Sequence, residues 1–400
     1  MPVSRRGFLR IVGTERTGPV SGAFLAARGL EAHFAEAQRS NGRQRPLLPP
    51  GVQEIRISSN ENPLGPGKGA LDAILGKFPE AGRYPFNSTP SEGALAEALA
   101  AKHKVKTDSI VLGAGSQEIL KSAVRAFTSM EHGLVTAAPT FENCTGQVKR
   151  LKYPLTEIKV DSACRLDVEP MIAASKGAGL VFFNNPNNPT ATVHGAKTVT
   201  DMVERIRKMS PDTVILIDEA YHDYVTDPSY QTAIPLAMET PNVFVARTFS
   251  KAYGMAGMRI GYGIGRAETM KKLAALKMPY NVSVLGVAAA IASLNDPKHI
   301  EEERARNTEV RAFTVKALQE MGAKPTDSQA NFLFVDIHRP AKDFREICAK
   351  SGVMVGRDFP PFEKTHARIS IGTMEEMQKA VEVFRTALRA TSSTANEDKR

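Results

Sequence analysis

From Ser109 to Ala246 the chain repeats one pattern: a short apolar run, a turn, then an amphipathic stretch. The runs Ser109–Leu112, Gly133–Ala137, Ala178–Phe183, Thr213–Ile217 and Asn242–Ala246 read as buried strands. Residues 117–129, the segment from Phe141, and 201–208 read as helices between them. Alternation of this kind predicts an α/β fold, with a mostly parallel sheet covered by helices. Ligands of such sheets gather at the carboxyl ends of the strands.

The flanking regions differ. Glu54–Ser58 alternates as a short strand and leads into the turn-rich loop Asn60-Glu61-Asn62-Pro63-Leu64-Gly65-Pro66. Ser91 is placed to cap a helix running to Lys104. Beyond the alternating region come an apolar helix at 282–294 and a long amphipathic helix at 301–321. A smaller α+β unit follows, with strands at 331–336, 353–355 and 368–371 and helices at 342–350 and 374–388. The expected organisation is a leader (1–50), an N-terminal segment lying against the small domain (51–77), a large domain (78–294), a small domain (295–390) and a polar tail (391–400).

Ser4-Arg5-Arg6-Gly7-Phe8-Leu9-Arg10 resembles a twin-arginine export signal, and Ala35-Glu36-Ala37 offers a small-x-small cleavage site. Glu15, Arg16 and Arg28 interrupt the apolar stretch that should follow, so a basic arm on a cytoplasmic enzyme is the other reading. The net charge of +9 favours anionic ligands, but no Lys/Arg run is long enough to suggest nucleic acid. Three widely separated cysteines, Cys144, Cys164 and Cys348, argue against a disulfide framework or a zinc site. No apolar run approaches the length needed to span a bilayer.

Chemistry concentrates in Thr248-Phe249-Ser250-Lys251-Ala252-Tyr253-Gly254-Met255-Ala256-Gly257-Met258-Arg259. The lysine amine can condense with an aldehyde. Ser250 and Arg259 can hold a phosphate, one by its hydroxyl and the other by its planar fork. Four other segments suit the same ligand. Gly113-Ala114-Gly115-Ser116-Gln117 joins a strand to a helix and presents backbone N–H groups. Asp218 closes a strand where it can pair with a protonated pyridine nitrogen, and Tyr221 can donate to a ring oxygen. Asn188 in Asn184-Asn185-Pro186-Asn187-Asn188-Pro189-Thr190 can reach that same oxygen. Phe141 can stack on a flat heterocycle. Taken singly, each has an ordinary reading: a surface lysine, a glycine turn, a helix-capping carboxylate, a solvent loop, a core aromatic.

Together these residues resemble the fold-type-I pyridoxal-phosphate aminotransferases of class I/II over about residues 52–390. Within that group the likeness is greatest to the histidinol-phosphate aminotransferases. They share the Asn60-Glu61-Asn62-Pro63 loop, Arg83-Tyr84-Pro85, Pro279-Tyr280-Asn281-Val282-Ser283, Ala330-Asn331-Phe332 and Arg368-Ile369-Ser370-Ile371-Gly372-Thr373. The resemblance implies a seven-stranded-type sheet with a smaller α+β domain and pyridoxal 5′-phosphate as cofactor. It makes Lys251 the Schiff-base lysine and proton shuttle, with Asp218 and Tyr221 beside it as catalytic residues. Gly115, Ser116, Gln117, Ser250 and Arg259 would bind the cofactor phosphate, and Phe141 and Asn188 its ring. Tyr84 would reach the cofactor of a partner subunit, in a homodimer with shared active sites. Asn62, Asn331, Arg357 and Arg368 would bind substrate, a small amino donor or a 2-oxo acid.

The chain departs from the family pattern at Gln117, where an acid is common, at Ala191, where glycine is usual, and at Phe141, which replaces a frequent tyrosine. Val355-Gly356-Arg357-Asp358-Phe359-Pro360-Pro361 is also unusual. If Asp358 faced the pocket it would repel a phosphate, and Phe359 and Phe362 would suit an aromatic or apolar side chain. An aromatic or other amino-acid aminotransferase, a lyase on the same scaffold, and a non-catalytic ligand-binding module are the rival readings.

Overall fold

The computed structural model describes residues 54–389. The twin-arginine-like stretch, the leader and the polar tail lie outside the described residues. Strand β1 (Ile55–Ile57) comes first, then helix α1 (Lys68–Lys77) and helix α2 (Glu92–His103). Ser91 caps α2 by accepting from the Ala94 N–H at 3.3 Å, and Lys104 ends it in the left-handed region with φ 56°.

The central sheet follows as β2 (Ile110–Ala114), β3 (Leu134–Ala138), β4 (Leu155–Lys159), β5 (Leu180–Asn184), β6 (Val214–Asp218), β7 (Val243–Thr248) and β8 (Ile260–Gly265). Their spatial order is β2-β8-β7-β6-β5-β3-β4. Strands β5, β6 and β7 are buried at every position. This is why they read as unbroken apolar runs: helices cover both faces of the sheet. Helix α3 (Ser116–Phe127) lies against β2 and β8, and its buried Ile119, Leu120, Ala123 and Val124 join Phe182, Leu216 and Phe244 in one core layer. A second layer on the sheet joins Phe183, Ile215, Ile217 and Val245 to Leu95, Leu99 and Val203.

The sheet is parallel except for β8, which runs antiparallel to both neighbours. Strand β8 and the reversal were not expected from the alternation. The cause lies in the Lys251 segment, which is the connection from β7 to β8 and contains only a short 3₁₀ turn. A parallel return needs a crossover, usually helical, so a loop without a helix brings the chain back antiparallel.

Helices α4 (Asn143–Leu151), α5 (Val168–Ala174), α6 (Ala196–Met209) and α7 (Ile234–Glu239) connect strands β3 to β7, and α8 (Ala267–Ala274) follows β8. After α9 (Val284–Leu294) and the long α10 (Pro297–Glu320), a smaller antiparallel sheet forms from β9 (Lys324–Pro325), β10 (Phe332–Asp336) and β12 (His366–Ser370). Between these last two lie α11 (Ala341–Lys350) and β11 (Val353–Val355), which pairs in parallel with β1. Helix α12 (Met374–Arg389) closes this region over its own core of Leu333, Val335, Phe344, Ile369, Met377 and Phe384. Among the described residues, no helix is long and apolar enough to cross a membrane.

Candidate active site

A cleft of about 290 Å³ opens at the carboxyl ends of the parallel strands. Lys251 lies on its wall with Ser116, Gln117, Phe141, Asn188 and Asp218. Tyr221, Ser250, Arg259, Arg357 and Arg368 also line it. Residues scattered over about 250 positions of sequence are thus brought to one place, by the ends of β2, β3, β5, β6 and β7 and by the region of β11 and β12.

One end of the cleft is built for an anion. Helix α3 opens at Ser116 with Gly115 in the N-cap position, and no side chain caps its first N–H groups. Gly115 has φ +71°, and a Cβ there would lie 2.2 Å from Arg259 Nη2, so only glycine lets the guanidinium approach. Arg259 donates to Ala256 O at 2.7 Å and to Ser250 Oγ at 3.4 Å. Thr248 and Ser250 share a hydroxyl–hydroxyl contact of 2.9 Å. Gly261 on β8 allows the same close approach, since a Cβ there would meet the Ser116 nitrogen at 2.2 Å.

The middle of the cleft holds a carboxylate without a cation. Asp218 is 1% exposed and accepts only the Ala220 N–H, at 3.1 Å, among the described residues. Burial pushes its carboxyl up to about 7, against the opposing pull of that N–H. Tyr221 Oη accepts from Asn60 Nδ2 at 3.1 Å and from Asn188 Nδ2 at 3.4 Å, which leaves its own proton free to donate. Burial raises this phenol to about 12 and keeps it neutral. Lys251 Nζ lies 5.6 Å from the Tyr221 ring centroid and donates to Ser59 O at 3.2 Å. Burial first, then the Arg368 charge, lowers its amine to about 8.

These observations test the expected cofactor. A buried carboxylate lacking a partner is costly unless a ligand supplies one, and a pyridine N–H would do so. The cradle of Gly115, Ser116, Ser250 and Arg259 suits a phosphate, and the aromatic Phe141 lines the same cleft. The residues fit the group.

Two further guanidiniums line the cleft. Arg368 is 8% exposed and donates to Asn188 Oδ1 at 2.8 Å and to Ser58 O at 2.6 Å. Arg357 donates to Asp358 O at 2.9 Å and pairs with Glu142. Both lie over the Phe359 ring, with Cζ atoms 4.8 and 4.2 Å from its centroid.

Several expectations need correction. Asn62 is absent from the cleft wall, because its amide donates to Ala252 O at 3.0 Å and its Oδ1 accepts from Leu64 N at 2.9 Å. Asn331 is likewise buried behind the loop, donating to Asn60 O at 3.1 Å. Both hold the strap 58–62 in place, and the strap's Ser59, Asn60 and Glu61 line the cleft instead. Tyr84, expected to serve a partner's site, needs no correction: it is 61% exposed and does not line the cleft of its own chain. Asp358 does not confront a substrate, since it pairs with Arg345 on α11. Phe359 and Phe362 do not form an aromatic side-chain pocket: they join Phe334 and Cys164 in a small separate cluster. Glu142 was missed, although it follows Phe141 directly in sequence.

A cleft of this make-up belongs to an enzyme that works on amino groups through an aldehyde carrying a phosphate. Comparison with known proteins agrees. The family model "Aminotransferase class I and II" matches residues 52–384. Histidinol-phosphate aminotransferase of Moorella thermoacetica is 33% identical over 346 residues, covering 84% of this chain and 86% of that protein. The enzyme of the same name from Symbiobacterium thermophilum is 33% identical over 336 residues, covering 84% and 90%. The structure of histidinol-phosphate aminotransferase from Sinorhizobium meliloti in complex with pyridoxal-5′-phosphate superposes with a TM-score of 0.79 at 27% identity, covering 89% of this chain and 94% of that one. The chain belongs to the class I and II aminotransferases, and it is an aminotransferase.

Proposed function

We propose that this aminotransferase takes its amino group from a donor bearing an anionic group, with histidinol phosphate as the first candidate, and passes it to a 2-oxo acid. The observation carrying this reading is the pair of guanidiniums, Arg357 and Arg368, that line the cleft over Phe359 in addition to the Arg259 of the phosphate cradle. The names of the relatives at 33% identity point to the same donor.

The cofactor, pyridoxal 5′-phosphate, supplies when bound an aldehyde for amino groups and a cationic ring that takes up electrons from the substrate carbon. The remaining roles fall to the chain. Ser116, Gln117, Ser250 and Arg259 would hold the cofactor's phosphate. Asp218 would accept from its ring N–H, Tyr221 and Asn188 would bind its ring oxygen, and Phe141 would lie against the ring. Lys251 Nζ would hold its aldehyde and, as a free amine, take the substrate's α-proton. An amine lowered to about 8 is partly neutral near pH 7, as a general base must be. Arg368, and Arg357 beside it, hold the donor's anionic group.

The division near residue 294 into a cofactor domain and a smaller one is part of this reading, supported by the separate cores. So is a homodimer in which Tyr84 serves the partner's site. Tyr84, Phe86 and Tyr280 form an exposed aromatic cluster, with Tyr84 and Tyr280 centroids 4.7 Å apart, and the exposed side chains of Leu71 and Leu75 add apolar surface. Export by a twin-arginine route rests on the sequence of the leader alone. Replacing Arg5 and Arg6 by lysine and fractionating the cells tests it; protein confined to the cytoplasm in both forms ends the idea.

The deciding experiment for the donor is a spectral screen of the holoenzyme with histidinol phosphate and with aromatic, acidic and aliphatic amino acids. A response to histidinol phosphate, with product formed only when a 2-oxo acid is present, is expected. Product release without an acceptor would indicate a lyase. A response to neutral aromatic donors alone would remove the two arginines from donor recognition.

A further inference from the structure

The two guanidiniums at the substrate end are not equivalent. Arg368 has only neutral acceptors among the described residues, Asn188 Oδ1 and Ser58 O. Arg357 is paired with a carboxylate, that of Glu142. Glu142 stands on the turn after β3, next to the cleft residue Phe141. Arg357 stands after β11, and 215 positions of sequence separate the two. The pair therefore joins the segment after β3 to the segment after β11, each next to or on the cleft lining. We propose that Glu142 is a specificity-determining residue: its carboxylate competes with the substrate's anionic group for Arg357. The inference rests on the reading above that Arg357 touches substrate.

Three features make this a competition and not a fixed structural bridge. Arg357 is held at the cleft without Glu142, by the Phe359 ring 4.2 Å away and by Asp358 O at 2.9 Å. The guanidinium can thus exchange one anion for another without moving. Both side chains of the pair are about half exposed, 51% and 56%, so water can replace the lost contact on Glu142 at little cost. The neighbouring carboxylate Asp358 is engaged by Arg345, which leaves Glu142 as the acid on Arg357 among the described residues. A donor lacking an anion leaves the pair closed. A donor with one must displace Glu142 to gain the second guanidinium, while Arg368 receives it without displacement.

The test uses holoenzyme and two donors that differ only in the phosphate, histidinol phosphate and histidinol, with inorganic phosphate as a competitive inhibitor. Glu142→Gln is expected to lower the KM for histidinol phosphate and the inhibition constant of phosphate about two- to fivefold, the range for a half-exposed ion pair. Its kcat, its KM for histidinol and its melting temperature are expected to stay unchanged. Arg357→Ala is expected to raise both constants, and adding Glu142→Gln to it is expected to have no further effect. If Arg357→Ala raises them while Glu142→Gln alone leaves them where they were, the competition is refuted and the donor reading stands. If Arg357→Ala changes neither constant, Arg357 does not touch the anion: the inference falls, and with it the part of the donor reading that assigns Arg357 to the anion.

Discussion

Asp218 and Glu219 are consecutive at the end of β6 and meet opposite surroundings. Asp218 faces the cleft with no cation bonded to it among the described residues. Glu219 turns away and is bound by Arg247 at 2.7 Å, Thr232 Oγ1 at 2.8 Å and the Ala233 N–H at 2.6 Å. Neighbouring residues at a strand end project to opposite sides of the sheet, so one acid serves the ligand and the other the scaffold.

The unpaired acid gives a pH-dependent stability. Burial raises Asp218 from 3.8 to about 7, so the cofactor-free fold keeps a proton that the unfolded chain releases near pH 4. Stability of the cofactor-free protein is therefore lost as pH rises through that window. Asp218→Asn does not titrate. It is expected to gain on the wild type by up to about 3 kcal/mol between pH 5 and pH 8. Urea unfolding of the cofactor-free proteins at the two pH values measures this. With cofactor bound the order reverses, and turnover of the variant is expected to drop about 100-fold or more. A constant stability gap across pH would mean that Asp218 is solvated.

The paired acid predicts a different cost. Arg247→Met leaves Glu219 buried and without its cation, which is expected to destabilise by about 3–5 kcal/mol. Replacing both residues, Arg247→Met with Glu219→Leu, is expected to cost clearly less, because no buried charge is then stranded. Denaturation of the two variants compares them directly. Equal losses would show that the ion pair acts through shape and not charge.

Lys251 predicts the rate of cofactor capture. The neutral amine is the nucleophile, and burial lowers the group to about 8. Stopped-flow absorbance on mixing cofactor-free protein with pyridoxal phosphate is expected to show the rate rising with pH and levelling near 8. A rise continuing to 10 would place the amine in water. Lys251→Ala is expected to lose the covalent absorbance and at least about 100-fold in turnover.

The sheet and most of the site were legible because they rest on local signals. Fully buried strands leave apolar runs, and strand ends leave the acid, asparagine and lysine segments that follow them. Strand β8 was missed because Gly261, Gly263 and Gly265 occupy alternate positions and leave no apolar run on that face. The strand β4 reads Leu-Thr-Glu-Ile-Lys at a half-covered sheet edge, and its polar residues hid it. The roles of Asn62 and Asn331 were not legible, because a motif places a residue near a site without saying which way its amide turns. The Glu142–Arg357 pair joins two distant segments, and no local pattern announces a contact across 215 positions.

The departure at Ala191 has a structural consequence. Its φ is 62°, in the left-handed region, and it is fully buried in the loop that presents Asn188. Ala191 N donates to Asn187 O at 2.7 Å, and Ala191 O accepts from Gln329 N at 2.8 Å, so both its backbone groups are committed and the residue cannot relax. A Cβ in that region costs roughly 1–2 kcal/mol. Glycine removes this cost but adds about 0.5–1 kcal/mol of chain entropy in the unfolded state. Ala191→Gly is therefore expected to stabilise the protein slightly, by up to about 1.5 kcal/mol, the difference of those two terms. The methyl is small and the loop is held by its backbone, so cofactor affinity is expected to be unchanged. Melting curves with and without pyridoxal phosphate check both statements. A destabilised variant would show that the Ala191 methyl contributes more to the core than the strain it brings.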